Sequence, residues 1–172
     1  IRPGHGIFVE TRLRQVLEGS DVEARVVAPV PWFPWTHSRF GEYALYAAIP
    51  RTESRNGITV LHPRYPLLPK VSMSVAPFLM ARGVMASVES LVKDGYDFDV
   101  IDAHYFYPDG VAAVMLGRHF GKPVVITARG SDLNVLAQYR MPRKLIQWAA
   151  ARADGLVAVC DALREVLGDL GI

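Results

Sequence analysis

Lys122-Pro123-Val124-Val125-Ile126-Thr127-Ala128-Arg129-Gly130-Ser131-Asp132 decides how this chain is read. Five consecutive residues, mostly apolar and β-branched, stand between a proline and an Arg-Gly turn. A run of that kind predicts a strand at Val124–Ala128 buried on both faces. Two similar runs flank it, Phe98 to Ala103 upstream and Gly155 to Cys160 downstream. Helical patterns separate them. Gly110 to Phe120 is stopped by Gly121, and Pro142 to Arg152 carries proline near its start. Asp161 is placed to cap a last helix, Ala162 to Leu170, with Glu165 four residues after the cap instead of the three of a capping box. Strands alternating with helices predict an α/β fold of three layers, a parallel sheet with helices on both faces. In such sheets ligands gather beyond the carboxyl ends of the strands.

The first half is less regular. Val9, Leu13, Val16 and Leu17 recur at helical spacing from Phe8 to Glu18, before Gly19. Val22 to Pro29 predicts a strand. Pro31-Trp32-Phe33-Pro34-Trp35 reads as an aromatic loop, because prolines break ladder and helix alike. Asn56-Gly57 predicts a turn into a strand, Ile58 to His62. Ser74 to Lys93 predicts a long helix closed by Gly95. A Gly-rich opening at residues 4–6 should follow a first strand, so that strand is expected upstream of Ile1 or absent from the fold.

The chain has 172 residues, 51% of them hydrophobic and 21% charged, with mean hydropathy +0.16. Disorder is excluded by that balance. One domain is expected, spanning 1–172 and long enough to bury roughly two thirds of its unfolded surface. Cys160 is the only cysteine, which excludes a disulfide framework and leaves no Cys set for zinc. No metal is expected. The net charge is +2, without a Lys/Arg cluster, so nucleic acid is not indicated. Fifteen of the 19 basic residues are Arg, which suits bidentate recognition of phosphate, although gene composition accounts for it equally. The opening Ile1-Arg2-Pro3 has neither Met nor the apolar core of a secretory signal, and no uninterrupted apolar run of about 18 residues predicts a membrane span. The expectation is a cytoplasmic chain that begins inside a longer product and is at most peripheral at the inner face of a membrane.

Three clusters could carry chemistry. Gly4 and Gly6 open a helix, where backbone amides and the helix dipole favour an anion; an ordinary turn is the competing reading. Val9 stands where a dinucleotide fingerprint needs its third Gly, and Asp21 and Glu23 begin a strand where that motif wants an acid at a strand end, against an oxidoreductase. His104, Tyr107 and Asp109 lie past the Phe98 strand and suit a sugar ring or another polyol, against a satisfied histidine and a capping aspartate. Arg129, Gly130, Ser131 and Asp132 lie past the Val124 strand. A forked cation, a glycine and two polar side chains can hold a diphosphate and orient a hydroxyl; a surface Arg–Asp pair is the alternative. Cys160 has no paired His in its sequence context and reads as a small core residue.

At these residues the chain resembles the N-terminal domain of GT-B glycosyltransferases of the retaining family 4 type. The resemblance rests on the Gly-rich opening through Phe8-Val9-Glu10, on Asp99 to His104 with Tyr107-Pro108-Asp109-Gly110, on Lys122 to Asp132, and on Ala153 to Leu163. It implies a Rossmann-like, acceptor-side half of an enzyme that transfers a sugar from a nucleotide-sugar donor to a glycan, lipid or small-molecule acceptor. The donor is then a co-substrate and no cofactor is implied. It also implies catalytic roles for Arg129 and Asp132, donor contacts for Gly4, Gly6, Gly130 and Ser131, and acceptor contacts for His104, Tyr107 and Asp109. Front-face attack, with the leaving phosphate taking the acceptor proton, requires no enzymatic nucleophile. Two departures stand out. Many relatives carry His where Arg129 stands, and no donor-binding domain with its Lys/Arg pair and Glu-x7-Glu motif is matched before Ile172; the one Glu-x7-Glu spacing, Glu10 to Glu18, falls in the opening helical stretch. That domain is expected to be a separate partner in the longer protein, and residues 1–172 alone to be inactive. A Rossmann-like binding module without catalysis is the alternative.

Trp32, Phe33, Trp35, Tyr43 and Tyr46 suit sugar stacking, a membrane interface or plain loop packing. The stretch Arg64 to Met85, apolar apart from Arg64, Lys70 and Arg82, suits lipid contact or packing of its helix on the sheet.

Overall fold

The three apolar runs do form strands, and their neighbours show where side-chain packing moved the boundaries. The computed structural model describes residues 7–66 and 72–172, which fall into two units, residues 1–66 and 67–172.

The first unit holds α1 (Ile7–Glu18), β1 (Val26–Val27), β2 (Val30–Trp32), a 3-10 turn (Ser38–Phe40), α2 (Glu42–Ala48), β3 (Thr52–Arg55), β4 (Ile58–Leu61) and β5 (Arg64–Pro66). β1 pairs parallel with β4, and β3 antiparallel with β4. The β3–β4 hairpin turns on Asn56 and Gly57, with φ of 49° and 81°. Two consecutive positive φ values match the right-handed strand twist, which is why Asn-Gly occurs here. The predicted strand Val22–Pro29 shortens to two residues. Pro31 and Trp32 lie in a strand instead of a loop: β2 pairs parallel with β5, and the Val30 N–H donates to Pro63 O at 2.9 Å. Successive N–H groups point to opposite sides, so the missing N–H of Pro31 falls on the side away from β5, where an edge strand tolerates it. His62 is buried. Its Nδ1 lies 2.9 Å from Ala28 O and its Nε2 3.1 Å from Glu53 Oε1, tying β1, β3 and β4 together.

The second unit holds α3 (Ser72–Lys93), β6 (Ile101–His104), a π turn (Phe106–Gly110), α4 (Val111–Phe120), β7 (Val124–Ala128), α5 (Ser131–Asn134), a 3-10 turn (Leu136–Gln138), α6 (Arg140–Ala150), β8 (Gly155–Ala158) and α7 (Asp161–Asp169). The strands are parallel in the order β6-β7-β8, with Ile101 beside Val124, His104 beside Thr127 and Ala128 beside Ala158. This is the expected α/β, Rossmann-like arrangement. Val124, Ile126 and Ala128 share one face and one core with Val111 and Val114 of α4 and Ile146 and Ala149 of α6. α4 rides close on β7 because Gly117 lacks a side chain: a Cβ there would stand 2.3 Å from Val124 Cγ2 and 2.8 Å from Lys122 O.

β6 starts at Ile101, later than the apolar run suggests, because Phe98 packs edge-on against Phe120. Cys160, not Asp161, is the N-cap of α7 and makes no side-chain cap bond. Asp161 is the first helical residue and pairs with Arg164 at 3.1 Å. α3 is long and apolar enough to cross a membrane by length and composition, with mean hydropathy 1.4 over Met73–Lys93. Met80, Ala81, Val84 and Val88 form a buried stripe on it, and the helix packs on α4 and α6 where sequence pattern suggested the sheet.

Candidate functional site

His104 ends β6 and Arg129 follows the last residue of β7, so both stand where parallel sheets place their ligands. The Arg129 Nη2 donates to His104 Nδ1 at 3.0 Å. A guanidinium can only donate, so Nδ1 is the acceptor. His104 Nε2 faces Asp102 Oδ2 at 3.9 Å. Arg129 Nε and Thr127 Oγ1 are buried without a hydrogen-bond partner among the described residues. Among those residues no carboxylate pairs with Arg129 either; its guanidinium is steadied by a histidine ring and its charge is left to meet something else. Buried polar groups without partners are rare, and they collect where a ligand or water completes the set.

Asp132 does not pair with Arg129 side chain to side chain, so the surface Arg–Asp reading fails. It is fully buried. Its Oδ2 accepts from Phe106 N at 2.6 Å, and its Oδ1 from Gly130 N at 2.9 Å and Arg129 N at 3.3 Å. Both oxygens are occupied by backbone. The carboxylate therefore clasps the turn after β6 to the turn after β7, and holds His104 and Arg129 in register without facing an acceptor. Gly130 has φ of 124°, which a side chain disfavours; an added Cβ would meet only Asn134 Nδ2, at 4.0 Å. Its need is conformational, and space for a close approach is not what selects it. Ser131 is exposed at the start of α5.

Tyr107 belongs to a different construction. Pro77 lies inside α3 and has no N–H, which leaves the carbonyl four residues back, on Met73, without its helical donor. The Tyr107 hydroxyl donates to Met73 O, and burial pushes its pKa up to about 12. With its proton given to that carbonyl, the hydroxyl can meet a ligand only as an acceptor. Tyr107→Phe is expected to lower stability by about 1–2 kcal/mol. Pro77→Ala restores a backbone donor to Met73, so the same change should cost about half as much or less in that background. Urea unfolding of the four proteins checks this; equal costs in both backgrounds would break the link.

Asp109 is half-buried beside the Asp132 carboxylate. Burial first, and that like charge second, raise its pKa from 3.8 to about 6, partly offset by its own backbone N–H. It is no helix cap: Gly110 holds the N-cap position of α4. Because the folded value lies above the unfolded one, the folded protein binds this proton more tightly. The resulting stability is complete below about pH 4 and is lost as pH rises through about 6, with a span of about 3 kcal/mol. Asp109→Asn should remove that span; the difference between wild-type and variant unfolding free energies at pH 4 and pH 7 measures it. A difference that does not change with pH would rule it out.

The second unit thus brings His104, Arg129, Gly130 and Asp132 together, with Asp109 near the Asp132 carboxylate and the Tyr107 hydroxyl bonded to Met73 O. Gly4 and Gly6 lie outside the described residues. Sequence reasoning passed over Tyr105, which sits at φ 74°, ψ 136°. Its N–H donates to Thr127 O and its carbonyl accepts from Gly110 N, each at 2.9 Å. Those bonds hold a tyrosine in a conformation usual only for glycine, next to His104. Nothing in its residue type signals this. Among the described residues no group of three His, Cys, Asp or Glu is gathered as a metal set.

Comparison with known proteins bears on the family. TuaC of Bacillus subtilis (strain 168), whose name assigns it provisionally to teichuronic acid biosynthesis as a glycosyltransferase, is 29% identical over 168 residues, 96% of this chain. The chain spans 42% of the length of that relative. The model of the family described as Glycosyltransferase Family 4 matches residues 11–172, and the chain belongs to that family.

Proposed function

We propose that this chain is the acceptor-side half of a retaining hexosyltransferase. It moves a sugar from a nucleotide-sugar donor to a glycan, lipid or small-molecule acceptor, in the cytoplasm. The observation that carries the reading is the Arg129 guanidinium at the carboxyl end of β7, held by His104 Nδ1 and without a carboxylate partner among the described residues. A fixed cation facing the leaving diphosphate stabilises the charge that grows there, and it is oriented before the reaction starts. His104 aims it, Asp132 and Gly130 set the backbone that carries it, Ser131 follows at the start of α5, and Asp109 lies near Asp132. TuaC is named for teichuronic acid biosynthesis, and that name supports a saccharide acceptor over a small molecule.

The test is nucleotide release by the full-length protein against a panel of UDP- and GDP-sugars, with and without saccharide and lipid-linked acceptors. Release with one donor, stimulated by acceptor, is the expected result, with the anomeric configuration of the product retained. Residues 1–172 alone should not turn over. Donor binding without release would favour a Rossmann-like binding module.

A further inference from the structure

In the first unit, the stretch from Phe33 to Tyr46 gathers five aromatic rings that have no part in the site above. Phe33 is its hub, with ring centroids 5.6 Å from Trp35, 5.3 Å from Phe40 and 5.2 Å from Tyr43. Trp35 stacks on Phe40 at 5.3 Å, and Tyr43 meets Tyr46 edge-on. Packed aromatic clusters usually sit inside a protein. This one leaves Trp35 56%, Tyr43 46% and Leu45 51% exposed.

Helix α2 continues the same surface. After Glu42 it reads Tyr-Ala-Leu-Tyr-Ala-Ala, with no charge. Ala44 is turned inward, while Tyr43, Leu45 and Ala48 face outward. A surface helix in water carries polar groups on its outer face; this one carries apolar groups on both. The rim is basic. The Arg39 guanidinium lies over the Phe40 ring at 4.6 Å and pairs with no carboxylate among the described residues. Arg51 and His37 are also exposed. Glu42 is the only acid from Val30 through Arg51.

We infer that Trp35, Tyr43, Leu45 and Arg39 form a docking surface for an anionic lipid bilayer. Amphipathic Trp and Tyr rings sit at the headgroup level, an aliphatic side chain enters the acyl boundary, and arginines meet the anionic headgroups. A sugar platform would present an open, flat ring face. Here Trp35 and Phe40 turn faces to one another, Arg39 covers Phe40, and Leu45 and Ala48 offer a sugar nothing to stack on. The surface is independent of the transfer reaction, so failure of the one leaves the other standing.

The test uses the full-length protein with vesicles of phosphatidylglycerol and phosphatidylcholine, beside vesicles of phosphatidylcholine alone. Co-sedimentation is expected with the anionic vesicles and should weaken as salt is raised. Leu45→Ser and Arg39→Glu should each weaken it by about tenfold. Brominated lipid should quench tryptophan emission in the wild type and lose most of that effect in Trp35→Ser. Thermal unfolding confirms that each variant folds, and Arg39→Glu, at an exposed position, keeps the test decisive if the others do not. No binding to anionic vesicles, or binding that none of the three variants weakens, overturns the proposal. So does a dimer in solution that Leu45→Ser dissociates, which would give the surface to a second copy. An emission change with soluble oligosaccharide but not with vesicles would give it to a sugar.

Discussion

Arg129→Ala is expected to lower kcat/KM for sugar transfer by the full-length protein about a hundredfold, equivalent to about 2.7 kcal/mol. Removing a cation that acts on developing charge should appear mainly in kcat. The fold should survive. The guanidinium donates to a histidine ring and to no buried carboxylate among the described residues, so its loss strands no opposite charge. Arg129→Lys should fall between. It keeps the charge but cannot donate through a planar fork, and so cannot hold both His104 Nδ1 and a phosphate oxygen. His104→Ala should reproduce part of the loss by freeing the guanidinium to wander. The measurement is steady-state turnover with the active donor beside the urea midpoint of each variant. An unchanged kcat/KM in Arg129→Ala would remove this residue from the diphosphate, and the family assignment would stand without it.

The parts of the fold set by local apolar pattern were legible. Val124–Ala128 is a strand with the bounds its residues predict, because a proline and an Arg-Gly turn delimit it. Asn56-Gly57 turns where expected, because only such residues accept two positive φ values in succession. What escaped depends on partners far along the chain. β3 is polar, Thr-Glu-Ser-Arg, and exists through its pairing with β4. β2 contains a proline and exists because β5 lies on the side where no N–H is missing. Within the site, residue type located the cluster but not each role. Arg129 and Asp132 look like an ion pair on paper and bond to different groups in space. Tyr107 and Tyr105 differ by two positions, yet one hydroxyl satisfies the helix carbonyl that Pro77 leaves without a donor, while the other residue is held at positive φ. No period or motif distinguishes the two.

Asp132 separates holding the site from acting in it. Asp132→Ala removes the acceptor of three backbone N–H groups, those of Phe106, Gly130 and Arg129, at a fully enclosed position. Stranding buried donors of that number is expected to cost about 3–5 kcal/mol. Asp132→Asn keeps the shape but turns an NH2 toward an N–H, and should cost about 2–3 kcal/mol. Activity should fall with stability in both, because the bond to Phe106 fixes the turn after His104 and the bond to Gly130 fixes the turn after Arg129. That pattern contrasts with Arg129→Ala, which should lose activity and keep its stability. A second readout follows from charge. The Asp132 carboxylate helps to raise the Asp109 pKa, so in Asp132→Asn the Asp109 titration should move down, toward the usual carboxylate range. Carboxyl carbon NMR of Asp109 in the folded variant reads that directly. A Asp132→Ala protein whose urea midpoint reports a loss below about 1 kcal/mol would show that the turns hold without the clasp. Asp132 would then be free to serve as an acceptor-facing group.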